Sequence, residues 1–148
     1  AIGIAQLDKL PNFIKKRREN YKKLFNNLKN LEEFILISEQ ENSKASWFGF
    51  LLILTDYAKF TRNEIVEFLE KNDIQTRNLF AGNMVMQPMF ESLKINKDYR
   101  IVGKLVNTNK IMNDAFWIGV YPGMTDINID KMIKKINDFV ILNRSKIL

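Results

Sequence analysis

The sequence contains neither histidine nor cysteine. Within this chain those two absences remove the usual zinc ligand sets, cysteine-ligated iron–sulfur clusters, a Ser-His-Asp triad and a cysteine nucleophile. Any chemistry these residues perform would rest on Lys, Asp, Glu, Tyr or Ser. Long apolar runs are missing too. The longest, FGFLLIL at 48–54, is far shorter than the roughly 18 residues a membrane helix needs, and it reads as a buried strand. The first segment is amphipathic and turns strongly charged where a leader would be cleaved, so no signal peptide is expected. The expected compartment is the cytoplasm, with which the lack of cysteine agrees. Because the sequence opens at Ala1 inside an amphipathic pattern without a cap, a preceding segment is expected.

What is present suits a globular protein. The 148 residues, 46% hydrophobic and 27% charged, have the length of one ordinary domain, which buries roughly 68–70% of the surface of its unfolded chain. The net charge of +6 raises the question of nucleic acid. Much of the excess lies in Lys15, Lys16, Arg17, Arg18, Lys22 and Lys23, with a second group at Lys131, Lys134 and Lys135. Both groups are interspersed with acids such as Glu19, Asp130 and Asp138 on polar helix faces, and no nucleic-acid motif accompanies them. A solvated face is the expected reading.

Apolar residues recur at Ile4, Leu7, Leu10, Ile14, Tyr21, Leu24, Leu28 and Leu31, broken only at Arg17. This spacing predicts one long amphipathic helix to about Asn30. Pro11 lies within it and predicts a kink near Ala5–Leu10 or two helices in tandem. Strands are predicted at Phe34–Ile37, Trp47–Leu54, Ile74–Arg77 and Phe116–Val120, with Gly49 marking a bulge or a close backbone approach. Thr61-Arg62-Asn63-Glu64 has the form of a capping box opening a helix that stops near Asn72. Phe80–Phe90 reads as an irregular loop and Thr108–Asp114 as a short helix. Thr125 or Asp126 caps a final helix with Ile129, Met132, Ile133, Ile136 and Val140 on one face. The order implies an α+β fold: a long N-terminal helix, then a small, mostly antiparallel sheet covered by helices on one side.

Chemistry concentrates in TRNLFAGN, 76–83. Arg77 ends a short strand, where side chains are handed to a cleft, and its planar fork of donors suits carboxylate or phosphate. An arginine in that place is, however, more often a surface ion-pair partner. Two asparagines follow, and Gly82 suits a positive φ or a close ligand approach. The aromatic set Phe48, Phe50, Phe80, Phe90, Phe116, Trp117 and Tyr121 is expected to be mostly core. By strand parity Trp117 and Tyr121 share a face, either lining a pocket together or packing on the sheet. Every lysine reads as exposed, which argues against a Schiff-base amine.

Several stretches also carry a resemblance: AIGIAQLDKLPNFIKKRREN, SWFGF, DIQTRNLFAGN followed by QPMF, and NTNKIMNDAFWIGVYPGMT. In this order, over nearly the whole chain, they resemble the C-terminal part of the DegT/DnrJ/EryC1/StrS sugar aminotransferase family. More narrowly, they are similar to its CDP-4-dehydro-6-deoxyglucose 3-dehydratase-like lipopolysaccharide biosynthesis branch. The resemblance implies the small domain of a fold-type I vitamin-B6 enzyme, with residues 1–30 as the inter-domain connecting helix and 31–148 as the C-terminal small domain. A large domain that holds pyridoxal or pyridoxamine phosphate and supplies the catalytic base would lie elsewhere. That base is a lysine in the aminotransferases and a histidine in the dehydratases. The resemblance thus implies no catalytic residue, cofactor or metal in this chain, and the iron–sulfur cluster of the CDP-sugar branch finds no cysteine here. It assigns Arg77, Asn78, Phe80 and Asn83, with Trp117 and Tyr121, to the sugar side of a cleft that binds a nucleotide sugar. A homodimer and a role in deoxysugar and O-antigen biosynthesis are implied as well. The competing expectation is a stand-alone, non-catalytic binding or oligomerisation module, a remnant of such an enzyme.

Overall fold

The computed structural model describes residues 2–145. It opens with two helices in tandem, α1 (Ile2–Leu7) and α2 (Leu10–Leu28). Pro11 sits in the first turn of α2, where a helix has no use for the missing N–H. The chain therefore breaks before the proline, and one continuous helix is replaced by two. Tyr21, Leu24 and Leu28 of α2 are buried, whereas Ile2, Ile4 and Leu7 of α1 are exposed.

There follow β1 (Phe34–Leu36), β2 (Gly49–Leu54), α3 (Arg62–Glu70), β3 (Thr76–Asn78), α4 (Val106–Asp114), β4 (Ala115–Gly119) and α5 (Asp126–Arg144). Two 3-10 turns, Met84–Met86 and Pro88–Phe90, order the segment expected to be irregular. α3 and α5 both start on complete capping boxes. The Thr61 hydroxyl accepts from Glu64 N while Glu64 reaches back to Thr61 N, and Thr125 and Asn128 repeat the exchange.

The sheet has the order β1-β2-β4-β3, and every neighbouring pair is antiparallel. β2, α3 and β3 thus form a split βαβ unit with β4 inserted between the two strands. Alternation gives the sheet two unlike faces. Phe50, Leu52, Leu54, Phe116 and Ile118 enter one cluster with Tyr21, Leu24 and Leu28 of α2, Ile65 and Leu69 of α3, and Ile129, Ile136, Phe139 and Val140 of α5. The fold is α+β, with the core on that side. On the other face, Ile53 and Ala115 are buried outside the main cluster, at the end of the sheet where α4 packs on β2 and β4. Gly49, Leu51, Trp117 and Gly119 remain partly open. Among the described residues no helix is long and apolar enough to cross a membrane.

At the sheet's outer edge, Arg144 near the end of α5 grips Glu33 beside β1 through Nε–Oε1 and Nη2–Oε2 contacts of 2.5 and 2.7 Å. Burial alone would raise the Glu33 pKa. The two guanidinium contacts and a backbone hydrogen bond outweigh it, and the carboxyl titrates below its ordinary range.

Candidate functional site

The open face is built around Trp117. In register, Arg77 of β3 stands beside Trp117 on β4, and Leu51 of β2 stands on its other side. Gly49 explains why the indole can lie across β2: a Cβ there would come within 2.7 Å of Trp117 Cε3. The sequence marked Gly49 as a bulge or a close approach, and the close approach is to this ring. Phe48 meets Trp117 edge-on, with centroids 5.2 Å apart.

Arg77, Trp117 and Tyr121 line one cavity of about 400 Å³, together with Gln75, Gly119, Asn128 and Lys131 among others. The guanidinium is oriented by its own strand. Nη1 donates to Thr76 O at 3.0 Å. With its amide oxygen turned inward, Gln75 accepts from Nη1 and Nη2 at 3.1 and 2.8 Å. Among the described residues no carboxylate forms a salt bridge with Arg77, so the ion-pair alternative finds no partner there. The strand itself is pinned by Glu70 at the end of α3, which accepts from Thr76 N and Oγ1 at 2.6 and 2.7 Å. Those two bonds, with the charge of Arg77 adding to them, lower the Glu70 pKa. Across the cavity, Lys131 is 3.3 Å from Asp73.

A second, smaller hollow of about 250 Å³ lies on the other side of Trp117, lined by Phe48, Gly49, Leu51, Leu79 and Phe80 among others, and it is almost wholly apolar. Phe80 is 80% exposed and has φ +49°, a left-handed conformation uncommon for an aromatic residue. The neighbouring Gly82, at φ +64°, lies under Met112, and a side chain there would overlap it.

The two asparagines go elsewhere. Asn78 pairs in register with Phe116, and its Oδ1 accepts from Arg62 Nη1 of α3 at 2.5 Å, so it faces the helix side, away from Arg77. Asn83 is buried. Its Nδ2 donates to Asn109 Oδ1 at 2.6 Å and its Oδ1 accepts from Val85 N at 3.2 Å, fastening the loop to α4. The structure thus gathers Arg77, Trp117 and Tyr121 in one cavity and sets Phe80 in the separate apolar hollow, which shares only Trp117 with it. Asn78 and Asn83 are satisfied by neighbours outside it. The expectation that the aromatic set is mostly core holds for Phe50 and Phe116. Phe48, Phe80 and Tyr121 are exposed because the chain leaves strand geometry at each of them.

The basic groups that raise the net charge are largely paired. Lys15 and Lys16 reach Glu19, Arg18 reaches Glu39, and Lys23 reaches Asp126 and Asp130. This pairing fits a solvated face. A Schiff-base amine needs a lowered pKa, whereas Lys23 is raised by Asp130 and Asp126, and Lys110 by Asp114. No group of three or more acidic side chains fit to hold a metal occurs among the described residues.

Solved structures place this architecture in a class. Escherichia coli GDP-4-keto-6-deoxy-D-mannose-3-dehydratase with bound hydrated PLP superposes with a TM-score of 0.78 at 27% identity, over 90% of this chain and 33% of that one. Helicobacter pylori PseC, an aminotransferase involved in the biosynthesis of pseudoaminic acid, gives the same TM-score at 14% identity, over 93% and 35%, a likeness of fold alone. The fold is that of one part of the sugar aminotransferases and dehydratases. The chain belongs to the DegT/DnrJ/EryC1/StrS aminotransferase family, whose model matches residues 1–137.

Among curated relatives, the lipopolysaccharide biosynthesis protein RfbH of Salmonella typhimurium is 42% identical over 144 residues, 97% of this chain and 32% of that protein. The GDP-4-keto-6-deoxy-D-mannose 3-dehydratase of Yersinia pseudotuberculosis is 37% identical over 147 residues, 97% and 34% respectively. The chain therefore spans about a third of the length of the relatives it matches.

Proposed function

We propose that the chain forms the sugar-side wall of a pyridoxal- or pyridoxamine-phosphate-dependent nucleotide-sugar 3-dehydratase or aminotransferase serving deoxysugar and lipopolysaccharide O-antigen biosynthesis in the cytoplasm. Residues 1–30 act as the connecting helix and 31–148 as the small domain. The observation that carries this reading is the meeting of Arg77, Trp117 and Tyr121 in one cavity at the β3 edge of the sheet, which α5 also lines through Asn128, Lys131 and Met132. Arg77, held by Gln75 and in no salt bridge among the described residues, offers its donors to an anionic or carbonyl group of the substrate. Trp117 and Phe80 give the sugar an apolar surface, and Tyr121 contributes a hydroxyl. Asn78 and Asn83 act at one remove, through the strand end and the loop they fasten. A larger cofactor-bearing body outside these 148 residues completes the cleft, and the whole enzyme works as a homodimer.

The test is a chimera in which this chain replaces the matching third of the Salmonella relative. A chimera that binds pyridoxamine phosphate and dehydrates a 4-keto nucleotide sugar supports the reading, provided that Arg77→Gln abolishes turnover. A folded, cofactor-loaded chimera without turnover overturns it. The 148-residue chain alone, mixed with pyridoxamine phosphate and the same sugar, is expected to give none.

A further inference from the structure

Arg17 interrupts the apolar spacing of the long helix, and the reading of the open face makes no use of it. The structure turns this side chain inward. Its Nη1 donates to Trp47 O at 3.1 Å and to Val120 O at 2.6 Å, residues 30 and 103 positions away. One turn on, the buried Asn20 donates Nδ2 to Tyr121 O at 2.9 Å. These carbonyls lie at the end of the β2–β4 ladder. Val120 N donates to Phe48 O at 2.8 Å, and past that rung no strand neighbour supplies a donor for Trp47 O or Val120 O. Carbonyls withdrawn from water without partners are costly, so the arginine stands in for the missing strand, while Asn20 adds a side-chain donor to Tyr121 O, which also accepts from Met124 N at 3.3 Å.

The two segments held in this way bracket Trp117. Trp47 precedes Phe48, whose ring abuts the indole, and Val120 leads to Tyr121, which lines the Arg77 cavity. We propose that Arg17 and Asn20 are positioning residues for the wall of the substrate cleft. From α2 they fix Phe48 and Tyr121 on either side of Trp117, and so couple the position of the helix to the shape of the wall. An arginine suits the task because one planar nitrogen aims two N–H groups at two fixed acceptors, a geometry that a lysine ammonium does not impose.

The inference rests on the open face being a substrate wall, and the test separates the two. In the 148-residue chain, Arg17→Met, Arg17→Lys and Asn20→Ala are compared with Thr61→Ala, which removes a cap far from Trp117. Three quantities are followed: urea stability, the Trp117 indole N–H resonance with the near-ultraviolet aromatic signal, and affinity for GDP-mannose. Arg17→Met is expected to shift the indole resonance, weaken the aromatic signal and raise the Kd by about five-fold or more, the effect of losing a kcal-scale contact. Asn20→Ala should act in the same direction, and Arg17→Lys should restore part of each. Thr61→Ala should lower stability without moving the indole. If the Arg17 and Asn20 variants lower stability while leaving the indole and aromatic signals as Thr61→Ala leaves them, the proposal is wrong. Should Arg17→Met fail to fold, Arg17→Lys and Asn20→Ala decide on the same signals. If the unmodified chain does not bind GDP-mannose, the substrate-wall reading fails in this chain, and the indole shift still decides whether Arg17 and Asn20 position Trp117.

Discussion

On the helix side of the sheet Phe50, Leu52, Phe116 and Ile118 are fully buried, while their alternating neighbours Gly49, Leu51, Trp117 and Gly119 keep access to solvent on the other side. Both sets come from the same two strands, so backbone pairing does not distinguish them. The side-chain inventory does. One face carries large aliphatic and aromatic groups that three helices cover. Beyond the end that α4 covers at Ile53 and Ala115, the other carries two glycines, Leu51, one indole and an arginine in no salt bridge among the described residues. A face assembled from those pieces adds little to the core and leaves space and donors for a guest. Stability should therefore respond to changes on the first face and recognition to changes on the second.

The largest expected effect tests that division directly. Phe116→Ala empties a fully buried site and should destabilise the chain by about 3–5 kcal/mol, read as a fall in the urea midpoint. Trp117→Ala, one residue on, should cost about 1 kcal/mol because its ring is only partly removed from water. Equal losses for the two neighbours would mean that both faces are core, and the comparison would collapse.

Glu33 provides the next largest effect and bears on what closes the helix side. Replacing it with Gln deprives Arg144 of a bidentate acceptor; since Arg144 is half exposed, the loss should be about 1–3 kcal/mol. The folded state holds the Glu33 pKa below its ordinary value of 4.5. Its contribution is therefore complete above that value and disappears as the pH falls through the lowered one. Urea midpoints of the native chain and Glu33→Gln should differ by a constant amount at neutral pH and converge in acid. A gap that persists at low pH would show that packing, not charge, ties α5 to the sheet edge.

Local signals made much of the helix side legible in the sequence. The capping boxes at Thr61 and Thr125, the proline break before α2 and the alternation of β2 and β4 each involve residues a few positions apart. Strand parity put Trp117 and Tyr121 on one face, lining a pocket or packing on the sheet; β4 ends at Gly119, before Tyr121, yet both residues line one cavity. Contacts across long stretches of sequence stayed hidden. Asn83 finds its partner 26 residues away in Asn109, and Arg17 finds Val120 at 103. Asn78 sits beside Arg77 in the chain yet faces the opposite side, as strand alternation requires, and what stayed hidden is its partner there, Arg62 of α3, which donates to its oxygen. The polar run 76–83 thus reads as one motif and folds into three separate tasks.

Gly49→Ala sharpens the comparison at smaller scale. The added methyl would overlap the edge of the indole, which has solvent on its outer side and can move. The expected destabilisation is about 1 kcal/mol, at the low end for an overpacked site. A larger change is expected in the near-ultraviolet aromatic signal of Trp117. A variant that loses several times that stability would place the indole in a rigid core, contrary to the proposed wall.

The smallest effect expected on stability belongs to Arg77, and for that reason it is the sharpest test of the open face. Arg77→Gln removes a charge whose hydrogen bonds go to neutral acceptors, Thr76 O and the Gln75 amide, and whose pull on Glu70 is a minor contribution, so the folded state should change by less than about 0.5 kcal/mol. Binding should respond quite differently. A guanidinium that bonds an anionic or carbonyl group contributes about 1.5–3 kcal/mol, so its loss should weaken GDP-mannose binding roughly ten-fold to a hundred-fold in a calorimetric titration. Arg77→Lys keeps the charge but not the fork, and it should recover only part of that affinity. A Gln variant that binds normally but unfolds more easily would identify Arg77 as a brace for β3, and the cavity would then have to recognise its ligand through Trp117 and Tyr121 alone.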